Sequence, residues 1–456
     1  NYFCSYAQLY HQKQMLADHN RMAAYHSAIL GNADVFKDKV VMDIGTGSGI
    51  LAVWAAQAGA RKVYAIEYTE MAHNARQLIK DNGVDHIVTV IQGTVESITL
   101  PLLEDGLLVV DGDGDLNGDE HVVDVIVSEW MGYMLLRESM LDSVLVARDR
   151  YLKPGTGLMF PSHATIHLAP IKDEPSRLDN VRDYDDAVQE WYDFVEATSN
   201  NYQVNYETLS DNFIQEQQDY YLYTSQWKEL SAKNFVLSIP AEVSDDDDDD
   251  INTENGEHPQ EQEEPPYTVI KKLNLSTCTL QDTRGIFGME TNTNKIYDGN
   301  YDWNEFDFVL DPTQVTSPIS GFASWFTTEF KSRTDDTGKE TAPKLKDNYV
   351  TLDTGPFQGY THWGQQVFYF KDVIRINTDL KQASGGKNSP KSKENVYVHL
   401  KGKIELQRTK ENKRLYNVRL EHQLQEIIHS KNCISAGENN VVTRHTEVIA
   451  AVYKMI

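Results

Sequence analysis

The stretch KVVMDIGTGSG, residues 39–49, decides the fold. Its first six residues form a largely apolar run typical of a short buried strand, and Gly45, Gly47 and Gly49 follow. Residues 50–58 then have the pattern of a helix. Glycines at such a position let a tight turn pass close to a ligand, and the N-terminus of the next helix adds partial positive charge. The stretch predicts a ligand-binding turn between a strand and a helix, although a generic turn without a ligand has the same pattern.

The neighbouring residues continue the alternation of strands and helices. Residues 62–67, 87–92 and 122–128 have the pattern of strands, and residues 71–82 have that of a helix. Such alternation indicates a doubly wound, Rossmann-like parallel sheet, which we assign to residues 33–160. The glycine spacing GxGxG departs from the GxGxxG pattern of dinucleotide-binding folds.

Beyond residue 161 the pattern changes to short strands separated by turns, which is typical of an antiparallel barrel or sandwich. Residues 174–230 interrupt these strands with a polar segment, rich in Tyr and Trp, that has helical spacing. We assign residues 161–456 to an antiparallel β-barrel domain and residues 1–32 to helices that precede the sheet. The barrel strands are expected at residues 162–171, 267–281, 304–310, 319–332, 364–371, 395–407 and 414–425.

The formal net charge of −27 suggests a protein that repels nucleic acid and attracts basic partners. Nineteen of the surplus negative charges, however, lie in residues 104–120 and 242–264, which contain no Lys or Arg. We predict solvated acidic insertions at about 103–121 and 242–266. The portion DGDGDLNGDE superficially resembles a calcium loop, but Val122 stands where such a loop needs a glutamate. We therefore expect no metal site in this segment or elsewhere. Because the net charge repels phosphate, we also expect no direct contact with nucleic acid.

The three cysteines, Cys4, Cys278 and Cys433, are too few and too scattered for a disulfide framework or a zinc site. No apolar stretch approaches the roughly 20 residues that a membrane span needs, and no secretory signal opens the chain. The composition favours a reduced protein of the cytoplasm or the nucleus, without membrane partners.

A second motif, SEWMGYMLLRESM at residues 128–140, follows the fourth strand at the edge of the sheet where ligands bind in this architecture. Glu129 and Glu138 can face each other if the segment forms a hairpin-like loop that bends at Gly132. Two adjacent carboxylates repel each other unless a cation lies between them. Guanidinium is the natural cation, since its planar fork meets carboxylates bidentately. The alternative interpretation is two surface glutamates on a loop and the following helix.

Two further motifs are aromatic: THW at residues 361–363 and YFCSY at residues 2–6. Each by itself is more often core packing than a functional motif. Their occurrence in one chain with the glycine turn and the two glutamates, in this order, is what makes the combination specific.

Together these motifs resemble those of the type I protein arginine N-methyltransferases, most closely the plant-type branch with a short N-terminus. The resemblance is dense over about 1–170, returns around 319–330 and 361–370, and is faint over 395–425. It implies transfer of methyl groups from S-adenosylmethionine, leaving S-adenosylhomocysteine, to guanidino nitrogens of protein arginines. The implied products are monomethyl- and asymmetric dimethylarginine on histones or Arg/Gly-rich proteins. The resemblance also implies a homodimer, formed through a helical arm at about 174–222.

The resemblance assigns roles to individual residues as well. The implied catalytic residues are Glu129 and Glu138, which clamp the substrate arginine, and His362 with its partner Asp18. The implied cofactor-binding residues are Tyr2, Phe3, Tyr6, Met15, Arg21, Asp43, Gly45, Gly47, Gly49, Glu67, Val95 and Glu96. The implied substrate-binding residues are Tyr6, Glu129, Met131, Tyr133, Glu138 and Trp363.

Within the cofactor set, the resemblance gives Glu67 to the ribose hydroxyls and Arg21 to the cofactor carboxylate. Val95 and Glu96 fall at the adenine, and Met15 matches a methionine that leaves room for a particular methylated product. The chain departs from the family at Gln12, where many members have a histidine.

Two other functions are considered. A small-molecule methyltransferase on the same cofactor domain explains the glycine turn, but not the paired glutamates together with THW. A catalytically inactive module that holds basic proteins on its acidic insertions predicts the loss of a catalytic residue, yet both glutamates and all three glycines are present.

Overall fold

The strand that ends in the glycine turn, β1 (Val40–Ile44), is the middle strand of a five-stranded sheet in the computed structural model. All five of its residues are buried, as expected for a strand of a doubly wound sheet. The structure describes residues 7–98, 100, 122–236, 267–284, 304–332, 349–376, 396–409, 412–428 and 441–455.

Helices and parallel strands alternate over the first part of the chain. Three helices precede the sheet: α1 (Leu9–Leu16), α2 (His19–Leu30) and α3 (Ala33–Phe36). After β1 the order is α4 (Ile50–Gln57), β2 (Lys62–Glu67), α5 (Met71–Asp81), β3 (Val88–Gln92), β4 (Val125–Val127), α6 (Leu141–Tyr151) and β5 (Leu158–Phe160). The prediction of a doubly wound, Rossmann-like sheet is confirmed.

The sheet order is β3-β2-β1-β4-β5, and every pair of neighbours is parallel. The strand order therefore reverses between β1 and β4, and in open sheets of this kind ligands bind at the carboxyl ends of the strands at such a reversal. The glycine turn follows β1, and residues 128–140 follow β4. The topology thus brings the two chemically informative motifs of the sequence to one crevice.

Antiparallel strands make up most of the second part of the chain, as predicted. The first elements are β6 (His163–Ile171), α7 (Glu174–Tyr202), a 3-10 turn (Glu207–Leu209), α8 (Ser210–Tyr221), β7 (Gln226–Lys228), a second 3-10 turn (Ala232–Asn234), β8 (Thr268–Asn274) and α9 (Leu280–Arg284). The remaining strands are β9 (Asn304–Leu310), β10 (Ile319–Phe330), β11 (Val350–Asp353), β12 (Gln365–Ile374), β13 (Val396–Arg408), β14 (Tyr416–Ile428), β15 (Val441–His445) and β16 (Ile449–Met455).

These strands form two antiparallel sheets that make up the barrel domain. One has the order β7-β12-β10-β6-β8 with β11 beside β10, and the other has the order β15-β14-β13-β9 with β16 beside β14. Aromatic side chains join the two sheets: the ring of Phe322 on β10 lies 5.1 Å from that of Phe306 on β9. Both rings are buried, and they belong to the same hydrophobic core as the parallel sheet. The barrel and the parallel sheet thus share a continuous core.

The polar segment after β6 forms a helical arm. Trp191 of α7 stacks on Phe213 of α8 with ring centroids 4.3 Å apart, and its indole N–H donates to Ser210 Oγ at 2.8 Å. Arg177 fixes the base of α7 on the barrel, since it donates to the carbonyl of Lys371 at 2.6 Å. The polar segment, for which helical spacing was predicted, is therefore a helical hairpin that is stabilised by stacked aromatic rings.

The structure corrects one strand and adds several others. The strand expected over residues 267–281 ends at Asn274, because residues 280–284 form a short helix. The short strands β5, β7 and β11 have three or four residues, too few for a pattern to be read, and β15 and β16 were not expected either. Both predicted acidic insertions lie outside the described residues. Within the described parts of the chain, no helix is long and apolar enough to cross a membrane.

Candidate active site

The three glycines of the turn all adopt left-handed backbone conformations. The φ angles of Gly45, Gly47 and Gly49 are +70°, +55° and +97°, which L side chains rarely adopt. A Cβ on Gly45 would also overlap the methyl group of Met140, and one on Gly47 would lie 2.8 Å from Oε1 of Gln12. Only glycine therefore fits the turn, which is covered by α1 on one side and by the segment after β4 on the other.

The acidic residue at the end of β2 is hydrogen-bonded to this turn. Glu67 accepts from the backbone N–H of Gly47 at 2.9 Å, and its other oxygen accepts from the N–H and the hydroxyl of Thr69 at 2.8 and 2.6 Å. The side chain is buried at the carboxyl end of β2. Its carboxylate therefore lies against the glycine turn, where the resemblance expects the ribose of the cofactor.

Asp43, in β1, is a buried carboxyl group beneath the turn. Its Oδ2 accepts from the hydroxyl of Thr46 at 2.5 Å, whereas its Oδ1 is buried without a hydrogen-bond partner among the described residues. Burial raises the pKa of Asp43 to about 7, although the Thr46 hydroxyl and the nearby N–H of Ala52 oppose the rise. Asp43 is thus poised between its neutral and charged forms near neutral pH.

The segment expected at the adenine is fixed by α6. Val95 is buried, and Arg150 donates to the carbonyls of Val95 and Glu96 at 3.2 and 2.9 Å. The carboxylate of Glu96 accepts from the hydroxyl of Ser143 at 2.7 Å. The expected adenine-binding pair therefore has a defined position beside the crevice.

The loop at residues 128–140, here called the glutamate loop, bends at Gly132 as predicted. The N–H of Gly132 donates to the carbonyl of Leu135 at 3.0 Å, and a Cβ at Gly132 would overlap the carbonyl of Arg137. The Arg137 guanidinium lies 5.2 Å from the ring centroid of Tyr133, in a cation–π contact. Four non-glycine residues of the loop have positive φ angles: Met134, Leu135, Glu138 and Ser139.

Glu129, at the start of this loop, pairs with Arg21 of α2. Its Oε2 lies 2.9 Å from Nη2 and 3.3 Å from Nε of Arg21, and both side chains are about nine-tenths buried. Arg21 also donates to the carbonyl of Met15 at 3.1 Å. The other oxygen of Glu129, Oε1, is buried and has no hydrogen-bond partner in the part of the chain that the structure describes. The residue expected at the cofactor carboxylate and the first clamp glutamate are thus in direct contact.

The THW motif reaches the same crevice from the barrel. His362 Nδ1 lies 2.8 Å from Asp18 Oδ2, which also accepts from the backbone N–H of His362. Asp18 is the N-cap residue of α2, where it accepts from the N–H of Arg21 at 3.0 Å. Burial alone would raise the pKa of Asp18, but the hydrogen bonds from His362 and Arg21 lower it below its usual value. Asp18 therefore stays ionised and anchors the motif to α2.

The remaining expected substrate residues line the glutamate loop. Trp363 is buried and its indole N–H donates to the carbonyl of Met131 at 2.9 Å, so that the THW motif holds the loop. Tyr133 is partly buried at the loop bend, and burial raises the pKa of its hydroxyl. Tyr2, Phe3 and Tyr6 lie outside the described residues.

Sequence reasoning missed several residues that hold this site. The Tyr25 hydroxyl donates to the carbonyl of Ser128 at 3.0 Å, and Asn20 donates to the carbonyl of Tyr360, just before THW, at 2.9 Å. Arg414, between β13 and β14, donates to the carbonyl of Glu138 at 2.9 Å. No local pattern marks these residues, because each contacts a segment more than a hundred positions away.

Known proteins are similar to this chain in both sequence and fold. The family model for the arginine methyltransferase oligomerization subdomain matches residues 162–427, and that for ribosomal protein L11 methyltransferase (PrmA) matches residues 29–110. Protein arginine N-methyltransferase PRMT10 of Arabidopsis thaliana is 38% identical over 377 residues, which cover 82% of this chain and 79% of the relative. PRMT10 of Oryza sativa subsp. japonica is 38% identical over 427 residues, covering 93% and 88%.

The solved structures agree with this result. The crystal structure of protein arginine methyltransferase 10 of Arabidopsis thaliana has a TM-score of 0.71 at 33% identity and covers 100% of both chains. The matches extend over the parallel sheet, the barrel and the helical arm together. This chain belongs to the protein arginine N-methyltransferase family.

Proposed function

We propose that this chain is a type I member of the family, and that Glu129 and Glu138 clamp the substrate arginine. As a member it is an S-adenosylmethionine-dependent enzyme that methylates guanidino nitrogens of protein arginines. The type I activity gives monomethyl- and asymmetric dimethylarginine, on histones or Arg/Gly-rich proteins. We also propose that the enzyme acts in the cytoplasm or the nucleus, where substrates of these classes occur.

The main support for the arginine clamp is that one carboxylate oxygen of Glu129 lacks a hydrogen-bond donor among the described residues. A buried carboxylate oxygen without a hydrogen-bond donor is strongly unfavourable, and one in a ligand crevice indicates a donor that arrives with the ligand. Arg21 already donates to Oε2, so that Oε1 is the oxygen left without a donor in the described chain and the charge of Glu129 is only partly compensated. A guanidinium group supplies both the N–H donor and the positive charge that this oxygen lacks.

The crevice also fits the cofactor that the family uses. The turn has no room for a Cβ at Gly45 or Gly47, so a ligand can pack directly against its backbone. The acidic side chain of Glu67 at the end of β2 lies beside the turn, as in folds that bind nucleosides. Gly45, Gly47 and Glu67 would hold its adenosine portion, and Arg21 would hold its carboxylate. When bound, S-adenosylmethionine supplies an electrophilic methyl group on a sulfonium centre.

The task of the protein is to make the arginine nucleophilic. A guanidinium group is delocalised and stays protonated, so it is a poor nucleophile in water. Glu129 and Glu138 draw positive charge toward the nitrogens that they contact, which leaves lone-pair character on the remaining nitrogen. They also hold that nitrogen in a fixed approach, which contributes to the rate through orientation and electrostatic preorganisation.

A proton has to leave the methylated nitrogen late in the reaction. Glu138 is one acceptor of this proton, and the pair formed by Asp18 and His362 is the other. Asp18 is ionised at neutral pH because its hydrogen bonds lower its pKa, and it hydrogen-bonds Nδ1 of His362 at 2.8 Å. This arrangement fixes the orientation of the imidazole ring, as a proton acceptor requires.

The helical arm gives the enzyme its oligomeric form. The matched oligomerization subdomain includes residues 174–222, and the arm exposes large apolar side chains on its outer surface. The arm of one copy would dock on the cofactor domain of a second copy and form a head-to-tail dimer. Its exposed apolar residues include Leu178, Tyr192, Phe194, Tyr202 and Tyr220.

Product analysis tests the proposed reaction type. The enzyme is incubated with methyl-labelled S-adenosylmethionine and an Arg/Gly-rich peptide, and the peptide is hydrolysed and examined by mass spectrometry. We expect monomethylarginine first and asymmetric dimethylarginine later. Symmetric dimethylarginine would refute the type I assignment, and label on a small molecule but on no arginine would favour the alternative methyltransferase class.

A further inference from the structure

The second clamp glutamate has a backbone conformation that its surroundings must enforce. The φ angles of Glu138 and Ser139 are +89° and +57°, and neither residue is glycine. Two consecutive residues of this kind persist only where neighbouring groups hold them, and such conformations cluster at functional sites. The contacts that hold this backbone therefore determine where the Glu138 carboxylate lies.

These contacts come from the tip of the β13–β14 hairpin, residues 412–415, in the barrel. The N–H of Glu138 donates to the carbonyl of Arg414 at 2.8 Å, and Nη1 of Arg414 donates back to the carbonyl of Glu138 at 2.9 Å. The hydroxyl of Ser139 donates to the carbonyl of Lys413 at 2.7 Å. Both peptide groups of Glu138 are thus bound by one residue, which lies 276 positions along the chain.

The strand ends next to this tip are anchored on the helix that follows the glutamate loop. Arg408 is buried and contacts Asp142, in the first turn of α6, through Nη1 at 2.8 Å and Nη2 at 3.0 Å. The hydroxyl of Tyr416 accepts from Arg408 at 3.1 Å and donates to the carbonyl of Thr283. A bidentate ion pair of this kind is geometrically specific, so it gives the hairpin tip a defined position against the loop.

We propose that Arg414 is a positioning residue for methyl transfer, which holds the Glu138 backbone in the conformation that the arginine clamp requires. The inference rests on the proposed role of Glu138. Arg414 acts from the barrel domain on a residue of the cofactor domain, so the two domains build the clamp together. The Arg408–Asp142 pair supports this role by fixing the hairpin on α6.

Two variants of similar size distinguish the loss of the Arg414 hydrogen bond from a general loss of folding. Arg414→Met keeps the apolar stem but removes the donors, and Arg414→Lys restores a charged donor. Turnover is measured per bound cofactor, together with KM for an Arg/Gly-rich peptide, the Kd of S-adenosylhomocysteine and the Tm. Arg419→Ala is the matched control, because this arginine lies on the same hairpin and pairs with Glu421. Glu138→Gln is measured in parallel.

We expect kcat of Arg414→Met to fall roughly tenfold or more, the range for a hydrogen bond to a charged group. The peptide KM and the cofactor Kd should change by less than about threefold, since Glu129 and the glycine turn are untouched. Arg414→Lys should recover at least about half of the lost turnover, and Arg419→Ala should match the wild type.

The result that overturns the proposal is equal kcat for Arg414→Met and Arg414→Lys, whether both are fast or both are slow. Equal slow turnover would show that restoring a charged donor at position 414 does not restore activity, and equal fast turnover would show that the contact is dispensable. Glu138→Gln separates this failure from that of the clamp itself. If Glu138→Gln keeps wild-type turnover, the clamp is wrong; if it is inactive while Arg414→Met is fully active, only the positioning role is wrong.

Discussion

At the scale of single residues, one ion pair joins a residue expected to bind the cofactor to a residue expected to bind the substrate. Arg21, expected at the cofactor carboxylate, and Glu129, expected at the substrate arginine, lie 2.9 Å apart. A pair that is nine-tenths buried has lost its hydration, so each partner depends on the other for compensation of its charge. With the proposed roles of Arg21 and Glu129, the cofactor and substrate sites would adjoin at this pair.

The buried carboxyl group of Asp43 predicts an unusual pH dependence of stability. Its pKa rises to about 7 in the folded protein, so the folded state binds a proton that the unfolded state has released. Between about pH 4 and 7 this group alone lowers the free energy of unfolding by about 1.4 kcal/mol per pH unit as pH increases. Asp43→Asn should therefore be more stable than the wild type at pH 8, with the advantage lost by pH 4, in denaturant titrations without cofactor.

Asp124→Asn is the control of opposite sign. Burial alone would raise the pKa of Asp124, but the hydrogen bond from Lys153 at 2.7 Å and the N–H of Val40 lower it. Its contribution to stability is present above its unfolded pKa and is lost as pH falls through the lower folded value. This variant should lose stability at neutral pH and differ little from the wild type in acid. A loss of stability at pH 8 in both variants would contradict the account of Asp43.

At the scale of elements, the glutamate loop shows what sequence reasoning can predict. The bend at Gly132 follows from local chemistry, because the Arg137 carbonyl occupies the space that a side chain would need. The positive φ of Glu138 does not follow, since its cause is a hydrogen bond from Arg414 in a distant hairpin. Periodicity likewise predicts β6, β9 and β10 well, but misses strands of three or four residues such as β5 and β11.

Deletion of the helical arm, residues 174–222, tests the proposed dimer. The arm packs its aromatic rings on one another, is attached to the barrel through Arg177 and through the ion pair of Asp219 with Lys454, and contributes no strand to either of the described sheets. We expect a monomer with little activity, measured by light scattering and methyl transfer. Tyr202→Asp is the milder variant, because this side chain is 75% exposed at the end of α7 and its change would not disturb the stacking. A fully active monomer would refute the role of the arm.

At the scale of the whole molecule, most of the net charge of −27 comes from two short acidic stretches of the sequence. Nineteen of its surplus charges fall in the two acidic segments, whereas the proposed chemistry needs only Glu129 and Glu138.

The family and the fold class were predictable because the glycine turn, the glutamate loop and THW have local signatures. The contacts of Arg21, Arg408 and Arg414 across the molecule were not, because a sequence does not show which distant segments meet.

Deleting residues 244–266 tests whether the acidic segment attracts basic substrates. Its charges would raise the local concentration of an Arg-rich peptide through long-range attraction, which salt screens beyond about 10 Å at 0.1 M. The peptide KM should increase a few-fold at low salt and stay unchanged at high salt, with kcat constant in steady-state assays. A length-matched variant with asparagine at positions 245–250 should behave in the same way. If the difference in peptide KM between each variant and the wild type is the same at low and high salt, the proposed attraction is refuted.

The most direct test of the arginine clamp is methyl transfer per bound cofactor by the wild type, Glu129→Gln and Glu138→Gln. The substitution keeps the size of each side chain but removes the negative charge that compensates the guanidinium group. We predict that turnover falls at least about a hundredfold in both variants, the range for loss of one preorganised electrostatic group, while S-adenosylhomocysteine still binds. Turnover near that of the wild type in either variant would contradict the clamp.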